Sequence, residues 1–290
     1  MSEQQDEDRA KESSRRPAGA GNGFSLSGDE QGEVEEKRPP RAAVLHEVIR
    51  REGEQELSRG FAALSLSALA AGLSMGFSML ARGLLHRHLA GMPGAFLLES
   101  LGYPFGFVVV ILARQQLFTE ITMTAVLPVM TDPGLRAFSQ LLRMWAIVFA
   151  GNLVGVALFA WGVLHLDQFD EASQNAFLAI GRELMHNTPW QMFTKGILAG
   201  WLIAIMVWLL PAAEGSKILA ITLVTYLIAL GGFTHIIVGS VETLYLVFAG
   251  ELAFGDYVTA FALPTLAGNI VGGSLIFALI SHAQVRSDTE

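Results

Sequence analysis

The chain contains 290 residues, with a formal net charge of −8 at pH 7, 52% hydrophobic residues and only 16% charged residues. Soluble domains average about a quarter charged residues, and the charges here are concentrated at one end, because residues 1–60 hold 10 of the 19 Lys and Arg and 14 of the 27 Asp and Glu. This split, with a mean hydropathy of +0.44, excludes a single soluble globular domain and indicates a polar segment joined to a membrane-embedded body.

Residues 1–40 are rich in Glu, Asp, Ser, Gly and Pro and poor in large apolar side chains, so they are predicted to be a disordered tail. The tail lacks both the apolar core of a secretory signal and the basic excess of a nucleic-acid-binding arm, so no nucleic-acid partner is expected. Residues 41–60 show partial helical periodicity and are predicted to form an amphipathic juxtamembrane helix, at the membrane surface or against the body. An ordinary solvated helix is the alternative.

Six apolar segments follow, at about 61–81, 95–130, 138–166, 192–213, 218–250 and 258–281. Four have the length of one crossing of about 20 residues, whereas the second and fifth are longer and contain breakers, Arg114-Gln115-Gln116 and Gly231-Gly232. Each of these two is predicted to be one crossing whose helix is interrupted at mid-depth, where the freed backbone groups must be covered by protein or line a cavity. The sequence therefore predicts an all-α, six-helix channel domain over 61–282.

Short motifs indicate that the six crossings form two halves. The first half contains Phe118-Thr119-Glu120 and Gly151-Asn152, and the second contains Phe233-Thr234-His235 at an offset of 115 (118 and 233) and Gly268-Asn269 at an offset of 117 (152 and 269). Ala71-Gly72 and Ala199-Gly200 are a weaker third pair, and Thr119 becomes the counterpart of Thr234. Three crossings is an odd number, so the second half is predicted to be inverted, as in many transporters. Gly151, Asn152, Gly268 and Asn269 are expected to serve close helix packing.

The Lys and Arg residues near the crossing ends predict the orientation. With the N-terminus inside, eight lie on the inner side and four on the outer side, namely Arg82, Arg87, Arg182 and Lys195. The positive-inside rule then places both termini in the cytoplasm, with residues 283–290 as a cytoplasmic C-terminal tail.

Five elements, taken in order, resemble the formate/nitrite transporter family over about residues 60–282. They are Leu117-Phe118-Thr119, Gly151-Asn152-Leu153-Val154-Gly155, Lys195-Gly196-Ile197-Leu198, Gly232-Phe233-Thr234-His235, and Pro264 followed by Gly268-Asn269-Ile270-Val271-Gly272-Gly273. Within that family the chain is similar to a divergent inner-membrane branch of undefined substrate.

The resemblance implies an aquaporin-like protomer with a pore through its own centre, a homopentamer in the bacterial inner membrane, and passage of small monovalent anions or their neutral acids. The partners implied are the lipid bilayer, further copies of the chain and the small permeant. The family's central pore histidine falls on His235 and its loop threonine on Thr119. By position, hydrophobic constrictions fall near Leu117 and Phe118 on one side of the centre, and on the other side at Tyr103, Phe107 and Ile228.

Arg114, Glu120 and Glu242 are unusual charges for such apolar segments. Glu242 lies seven residues after His235, on the same face of a regular helix, and is expected either to line the inner vestibule or to be held in an ion pair. Arg114 is expected to pair with Glu120 or Glu99 and to serve structure only. A bare carboxylate in the path would repel anions, so Glu242 argues against simple anion permeation unless it is paired or protonated.

The chain departs from the family pattern at several positions, so the resemblance carries the fold further than the substrate. These positions are Arg114-Gln115-Gln116, Gly200, Thr234 and Gly239.

The leading hypothesis is a passive or proton-coupled channel for small monovalent anions or their neutral acids, in which His235 either lends a proton to a passing carboxylate or only hydrogen-bonds the loop containing Thr119. A channel for small neutral solutes and a non-conducting membrane scaffold are the alternatives. The chain has no Cys, no metal-ligand spacing and no phosphate-binding glycine loop, so no enzyme activity, cofactor or metal is expected.

Overall fold

The computed structural model describes residues 27–36, 38 and 40–289, and the chain divides into two units, 1–39 and 40–290. In the first unit, Gly28–Glu36 forms helix α1, within the tail for which the sequence predicts disorder. A capping box explains this helix, because the backbone N–H of Glu30 donates to Ser27 Oγ at 3.3 Å and the backbone N–H of Ser27 donates to Glu30 Oε2 at 2.7 Å. The structure thus shows a helix within the stretch predicted to be disordered, and residues 1–26 lie outside the described part.

Helix α2, Ala42–Leu57, begins the second unit and occupies the stretch predicted as a juxtamembrane helix over 41–60. Its buried residues recur at spacings of three and four and form one face, which consists of His46, Ile49, Gly53 and Leu57. A Cβ added at Gly53 would lie 2.1 Å from the backbone oxygen of Thr124, so α2 packs closely on the body. The helix is therefore not an ordinary solvated helix.

The remaining helices follow in chain order. They are α3 (Phe61–Leu89), α4 (Ala95–Glu99), a 3₁₀ turn (Ser100–Gly102), α5 (Pro104–Leu112), α6 (Phe118–Thr124), α7 (Val126–Thr131), α8 (Leu135–His165), α9 (Glu171–Met185), α10 (Pro189–Leu209), α11 (Lys217–Leu230), α12 (Ile236–Phe248), α13 (Phe254–Asp256), a π-helical turn (Tyr257–Ala262), α14 (Leu263–Ile270), a π-helical segment (Val271–Ala278) and α15 (Leu279–Thr289). Helix α15 includes most of the predicted C-terminal tail.

Five stretches of the described chain are long and apolar enough to cross a membrane, namely Phe61–Leu89, Ala95–Leu112, Leu135–His165, Pro189–Leu209 and Phe254–Ser287. Three apolar helical stretches are shorter, namely Phe118–Thr131, Lys217–Leu230 and Ile236–Phe248. The short stretches lie beside two interruptions of the helical backbone, at 113–117 and 231–235.

Helices α5 and α11 end in the same way at these two interruptions. The backbone N–H groups of Gln115 and Phe233 each donate to the carbonyl oxygen five residues earlier, at 2.9 and 3.0 Å, which is the long hydrogen bond of a Schellman motif. The motif requires one left-handed residue, which is Arg114 with φ +53° in the first break and Gly232 with φ +56° in the second. These equivalent positions, 114 and 232, differ by an offset of 118.

The amide of Asn152 on α8 closes the first break. Its Nδ2 donates to the backbone oxygens of Ala68 and Gln116 at 2.8 and 2.9 Å, and its Oδ1 accepts from the backbone N–H of Phe118 at 2.9 Å. One buried side chain therefore satisfies backbone groups on both sides of the break.

Asn269 on α14 makes the same three hydrogen bonds in the second half. Its Nδ2 donates to the backbone oxygens of Gly196 and Thr234, both at 2.9 Å, and its Oδ1 accepts from the backbone N–H of Ile236 at 2.9 Å. The two asparagines, at positions 152 and 269, have the offset of 117 seen in the sequence comparison.

These hydrogen bonds correct the register of the second motif pair. The breaks superimpose at an offset of 118, and not at the offset of 115 that matches the Phe-Thr dipeptides. Thr119 therefore corresponds to Ile237 and not to Thr234. His235 corresponds to Leu117, and each is the N-cap residue of the helix that follows the break.

Helix α9 is absent from the sequence predictions and is the counterpart of α2. A Cβ added at Gly181 of α9 would lie 2.7 Å from the backbone oxygen of Glu242, as Gly53 of α2 lies against Thr124. The glycines, at positions 53 and 181, have an offset of 128, and the carbonyls, at positions 124 and 242, have an offset of 118. Each half thus contains one helix in front of its three apolar segments.

Gly72 and Gly200 complete the comparison of the halves. A Cβ added at either glycine would lie 2.3 Å from the backbone oxygen of Asn152 or of Asn269, respectively. Because positions 72 and 200 also have an offset of 128, the weakest of the three sequence pairs occupies equivalent places in the two halves.

Candidate functional site

His235 is the N-cap residue of α12, at the end of the second break, and is 2% exposed. Its Nδ1 accepts a hydrogen bond from the backbone N–H of Val238 at 3.2 Å, and its Nε2 lies 2.7 Å from Thr119 Oγ1. A neutral ring that accepts at Nδ1 carries its proton at Nε2, so His235 donates this proton to Thr119. The hydroxyl proton of Thr119 then remains to be donated to another group.

Buried apolar side chains surround this hydrogen bond. The ring of Phe107 meets the ring of His235 edge-on, with centroids 5.0 Å apart, and Tyr103 lies 5.5 Å beyond Phe107. Leu117 is fully buried. Phe118 packs instead against two rings of α8, with centroids 5.9 and 5.1 Å away, which belong to Trp145 and Phe149.

A first cavity of about 330 Å³ is lined by His235, Tyr103, Ile228 and Glu242, among others, and is called the His235 cavity here. A second cavity of about 410 Å³ is lined by Glu120 and is called the Glu120 cavity. Neither is lined by Thr119, Leu117, Phe118 or Phe107. The hydrogen bond between Thr119 and His235 therefore starts at the wall of the His235 cavity and ends at Thr119, whose neighbour in sequence, Glu120, lines the Glu120 cavity.

An ion-pair cluster occupies the His235 cavity. Arg82 contacts Glu183 at 3.1 Å and Glu242 at 3.4 Å, while Lys195 Nζ donates to Asn187 Oδ1 at 2.7 Å. The expectation that Glu242 lines the inner vestibule is wrong under the orientation that the sequence predicts, because it shares this cavity with Arg82 and Lys195, which that orientation places outside. The reason is direction, since α12 runs from His235 towards the end of the crossing that the predicted orientation places outside.

The Glu120 cavity is richer in carboxylates. Four acidic and two basic side chains line it, namely Glu52, Glu56, Glu120, Glu214, Arg114 and Lys217. The half-buried carboxylate of Glu120 has no hydrogen bond and no ion pair with any described residue.

The expected pairing of Arg114 is wrong. Arg114 contacts Glu52 of α2 at 3.2 Å, and its side chain is 79% exposed. Glu99 pairs instead with His86 at 3.0 Å. The sequence did not reveal α2 as a source of partners, since a contact between positions 52 and 114 leaves no local pattern.

Arg82 is the second residue that the sequence did not place in a site. It was counted as an outer-side residue, yet α3 continues beyond the predicted end of its segment at 81 and carries Arg82 into the His235 cavity. An apolar pattern that persists to Leu84 and Leu85 is the signal that could have placed it inside the helix.

The described residues contain no group of three or more His, Asp or Glu side chains that could hold a metal ion. The arrangement offers a single histidine–threonine hydrogen bond, apolar walls and two polar cavities. Such a site can dehydrate and select a small solute.

Comparisons with known proteins agree with this geometry. The family model described as formate/nitrite transporter matches residues 43–283. The chain is 56% identical over 257 residues to the inner membrane protein YfdC of Escherichia coli (strain K12), covering 88% of this chain and 83% of that relative. It is 23% identical over 224 residues to the formate channel FocA of Haemophilus influenzae, covering 67% of this chain and 76% of that protein.

Two solved structures share the fold. A pentameric formate channel with formate bound matches with a TM-score of 0.65 at 20% identity, covering 83% of this chain and 99% of that one. An FNT family ion channel matches with a TM-score of 0.66 at 21% identity, covering 84% and 96% of the two chains. The described helices therefore have the all-helical fold of these channels.

Proposed function

The chain belongs to the formate/nitrite transporter family, and on that premise we propose that it is a membrane channel that passes small monovalent anions of the formate and nitrite type, or their neutral acids, through a pore in each protomer. Like its relatives, it is a transport protein and not an enzyme. The observation that carries the substrate proposal is the 2.7 Å hydrogen bond between Thr119 and His235, at the wall of the His235 cavity.

The proposed architecture has six crossings in two inverted halves, is aquaporin-like, and has its second and fifth helices broken at mid-membrane. The matching Asn152 and Asn269 hydrogen bonds support the repeat. Inversion follows if each half contributes three crossings, because an odd number reverses the direction of the second half.

The proposed assembly is a homopentamer in the bacterial inner membrane, with the lipid bilayer around it and both termini in the cytoplasm. The name of the Escherichia coli relative supports the location, and the pentameric formate channel supports the assembly. The excess of Lys and Arg on the predicted inner side supports the orientation.

We assign the outer constriction to Tyr103, Phe107 and Ile228, and the inner one to Leu117 with Phe118 behind it. An anion loses its hydration at high cost in an apolar constriction. A neutral acid carries no net charge and loses only the hydrogen bonds of its two oxygens.

Thr119 and His235 supply the polar step at the centre. Since the Nε2 proton of His235 is directed at Thr119 Oγ1, the threonine hydroxyl can donate to an oxygen of the permeant. In the passive version His235 acts as this fixed donor, and in the proton-coupled version it also transfers a proton to the permeant.

Solute uptake by proteoliposomes tests the proposal. Vesicles containing the protein should take up formate or nitrite faster than empty vesicles, and His235→Phe should slow this uptake by about 10-fold, the equivalent of one lost hydrogen bond. His88→Phe is the matched control, because His88 lies near the end of α3 and lines neither cavity. Uptake no faster than in empty vesicles contradicts the channel, and wild-type uptake by His235→Phe contradicts the role of the histidine.

A channel for small neutral solutes is the second candidate. The excess of carboxylates in the Glu120 cavity favours it, since fixed negative charge lowers the local concentration of anions. A screen of charged and uncharged solutes in the same vesicles separates the two candidates.

A further inference from the structure

We propose that Glu120 is the residue that sets the charge selectivity of this pore, by opposing free anions so that the permeant passes between Thr119 and the Glu120 cavity as a neutral molecule. The inference rests on the proposed channel function and narrows its substrate class to neutral acids and similar uncharged solutes. It uses a carboxylate for which the family resemblance supplies no role.

The position of Glu120 gives it access to every solute on this path. It directly follows Thr119 in the first turn of α6, and it lines the Glu120 cavity. A solute that moves from Thr119 and His235 towards the Glu120 cavity therefore enters a cavity in which Glu120 is the charged residue closest in sequence to Thr119.

Within the described chain, no neighbour forms an ion pair with the carboxyl group of Glu120. Arg114 is occupied by Glu52 at 3.2 Å, and Glu56 accepts from Gln116 Nε2 at 2.8 Å and from Arg59 at 2.9 Å. Lys217 also lines the cavity, and within the described chain it has no ion pair within 4.0 Å. The other carboxylates, Glu52, Glu56 and Glu214, add to the negative potential.

The His235 cavity provides the contrast. Its buried carboxylate, Glu242, is held by Arg82, and its acidic and basic side chains balance at two each, Glu183 and Glu242 against Arg82 and Lys195. The concern that Glu242 would repel an anion is met by this pairing. Glu120 has no such ion pair, so it repels an anion whenever its carboxyl group is ionised.

The expected size of the effect follows from Coulomb's law. A unit negative charge about 7 Å from a monovalent anion, at an effective dielectric constant of about 20, lowers the occupancy of the anion by roughly 50-fold. Because part of the cavity is open to solvent, we expect a change of about 10- to 50-fold.

Formate and formamide are suitable probes because they have nearly the same shape and differ in charge. Their fluxes into proteoliposomes are measured at pH 8.5, where carboxylic acids in solution are ionised, with the flux of empty vesicles subtracted. The wild-type protein should pass formamide faster than formate. Glu120→Gln should raise formate flux about 10- to 50-fold and leave formamide flux within about twofold.

Two further variants make the test specific. Glu214→Gln removes one carboxylate from the same cavity at an exposed position, so solvent screening should keep its effect on formate flux below about threefold. Gln115→Arg adds a positive charge to the cavity without changing Glu120, and it should also raise formate flux. It serves in place of Glu120→Gln if that variant does not assemble.

The outcomes distinguish this inference from the proposed function. An unchanged ratio of formate to formamide flux in Glu120→Gln, or in Gln115→Arg where it replaces that variant, overturns the inference. So does a wild-type protein that passes formate as fast as formamide, although the channel proposal then stands. A wild-type protein that passes neither probe contradicts the channel itself.

Discussion

The two cavities are built from equivalent positions and carry different chemistry. Pairs of equivalent residues line them, among them Glu56 and Leu184, Ile111 and Ala229, Arg114 and Gly232, Gln115 and Phe233, Gln116 and Thr234, Ile121 and Gly239, Thr124 and Glu242, and Leu210 and Arg82. Every pair has an offset of 118 or 128, the same two values that the helix breaks and the glycine contacts define. The repeat thus determines where the cavities lie, and the side chains at matched positions determine how each acts on a solute.

The two helix breaks likewise share their backbone arrangement and differ in side-chain chemistry. Both have a Schellman motif and one asparagine with three hydrogen bonds, yet the N-cap residue of the following helix is Leu117 in one and His235 in the other. Only the side chain of His235 can donate a proton or a hydrogen bond. The two breaks therefore differ chemically on a nearly symmetric backbone.

The largest expected effect tests whether the two breaks are energetically equivalent. Asn152→Ala and Asn269→Ala each leave one backbone oxygen and one backbone N–H of the break buried without a partner and also remove a hydrogen bond to a helical carbonyl, at a cost of about 3 kcal/mol. Both variants should lower the thermal midpoint of the purified protein by a similar amount. Asn175→Ala, at an exposed position of α9, is the control. A large loss at one asparagine and none at the other would break the comparison.

A smaller effect distinguishes the left-handed residues. Gly232→Ala should cost about 1 kcal/mol, because φ is +56° and only Lys195 Nζ, at 3.8 Å, lies within 4 Å of the new Cβ. At the equivalent position, Arg114→Gly and Arg114→Ala both lose the contact with Glu52.

The difference between these two Arg114 variants isolates the backbone. The glycine variant should be more stable than the alanine variant by about 1 kcal/mol, measured from thermal midpoints. Equal midpoints for Arg114→Gly and Arg114→Ala would show that the first break relaxes where the second does not.

The smallest expected effect concerns α2 and α9, the equivalent helices of the two halves. His46 Nε2 of α2 lies 3.0 Å from His282 Nδ1 of α15, and burial together with the charge of His282 lowers the pKa of His46. The folded state therefore binds a proton on His46 less readily than the unfolded state, so stability is lost as the pH falls below the ordinary histidine range. Position 174 of α9, equivalent to position 46, is Gln.

Hydrogen exchange at pH 7.5 and 5.0, corrected for intrinsic rates, tests this difference. Acid should reduce protection in α2 and leave α9 unchanged, and His46→Gln should remove the response of α2. Equal loss of protection in both helices would assign the effect to the whole fold instead of to His46.

Part of the fold and site was predictable because it rests on local pattern. The long apolar segments, the breakers at Arg114 and Gly232 and the two Gly-Asn pairs are readable along the chain, since each reflects hydrophobic length or a backbone requirement. Helix α9 was missed because it is short and amphipathic. The 115 offset was wrong because a shared Phe-Thr dipeptide is too short to fix a register.

The sequence alone determined that the chain is a helical membrane protein of the formate/nitrite transporter family and that two of its apolar segments are interrupted, because hydrophobic length and helix breakers act locally. Only the tertiary structure determined which charged side chains contact one another. Arg114 binds Glu52 and Arg82 binds Glu242, while Glu120 has no partner among the described residues. These ion pairs depend on distances between segments 62 and 160 residues apart, which no local pattern encodes.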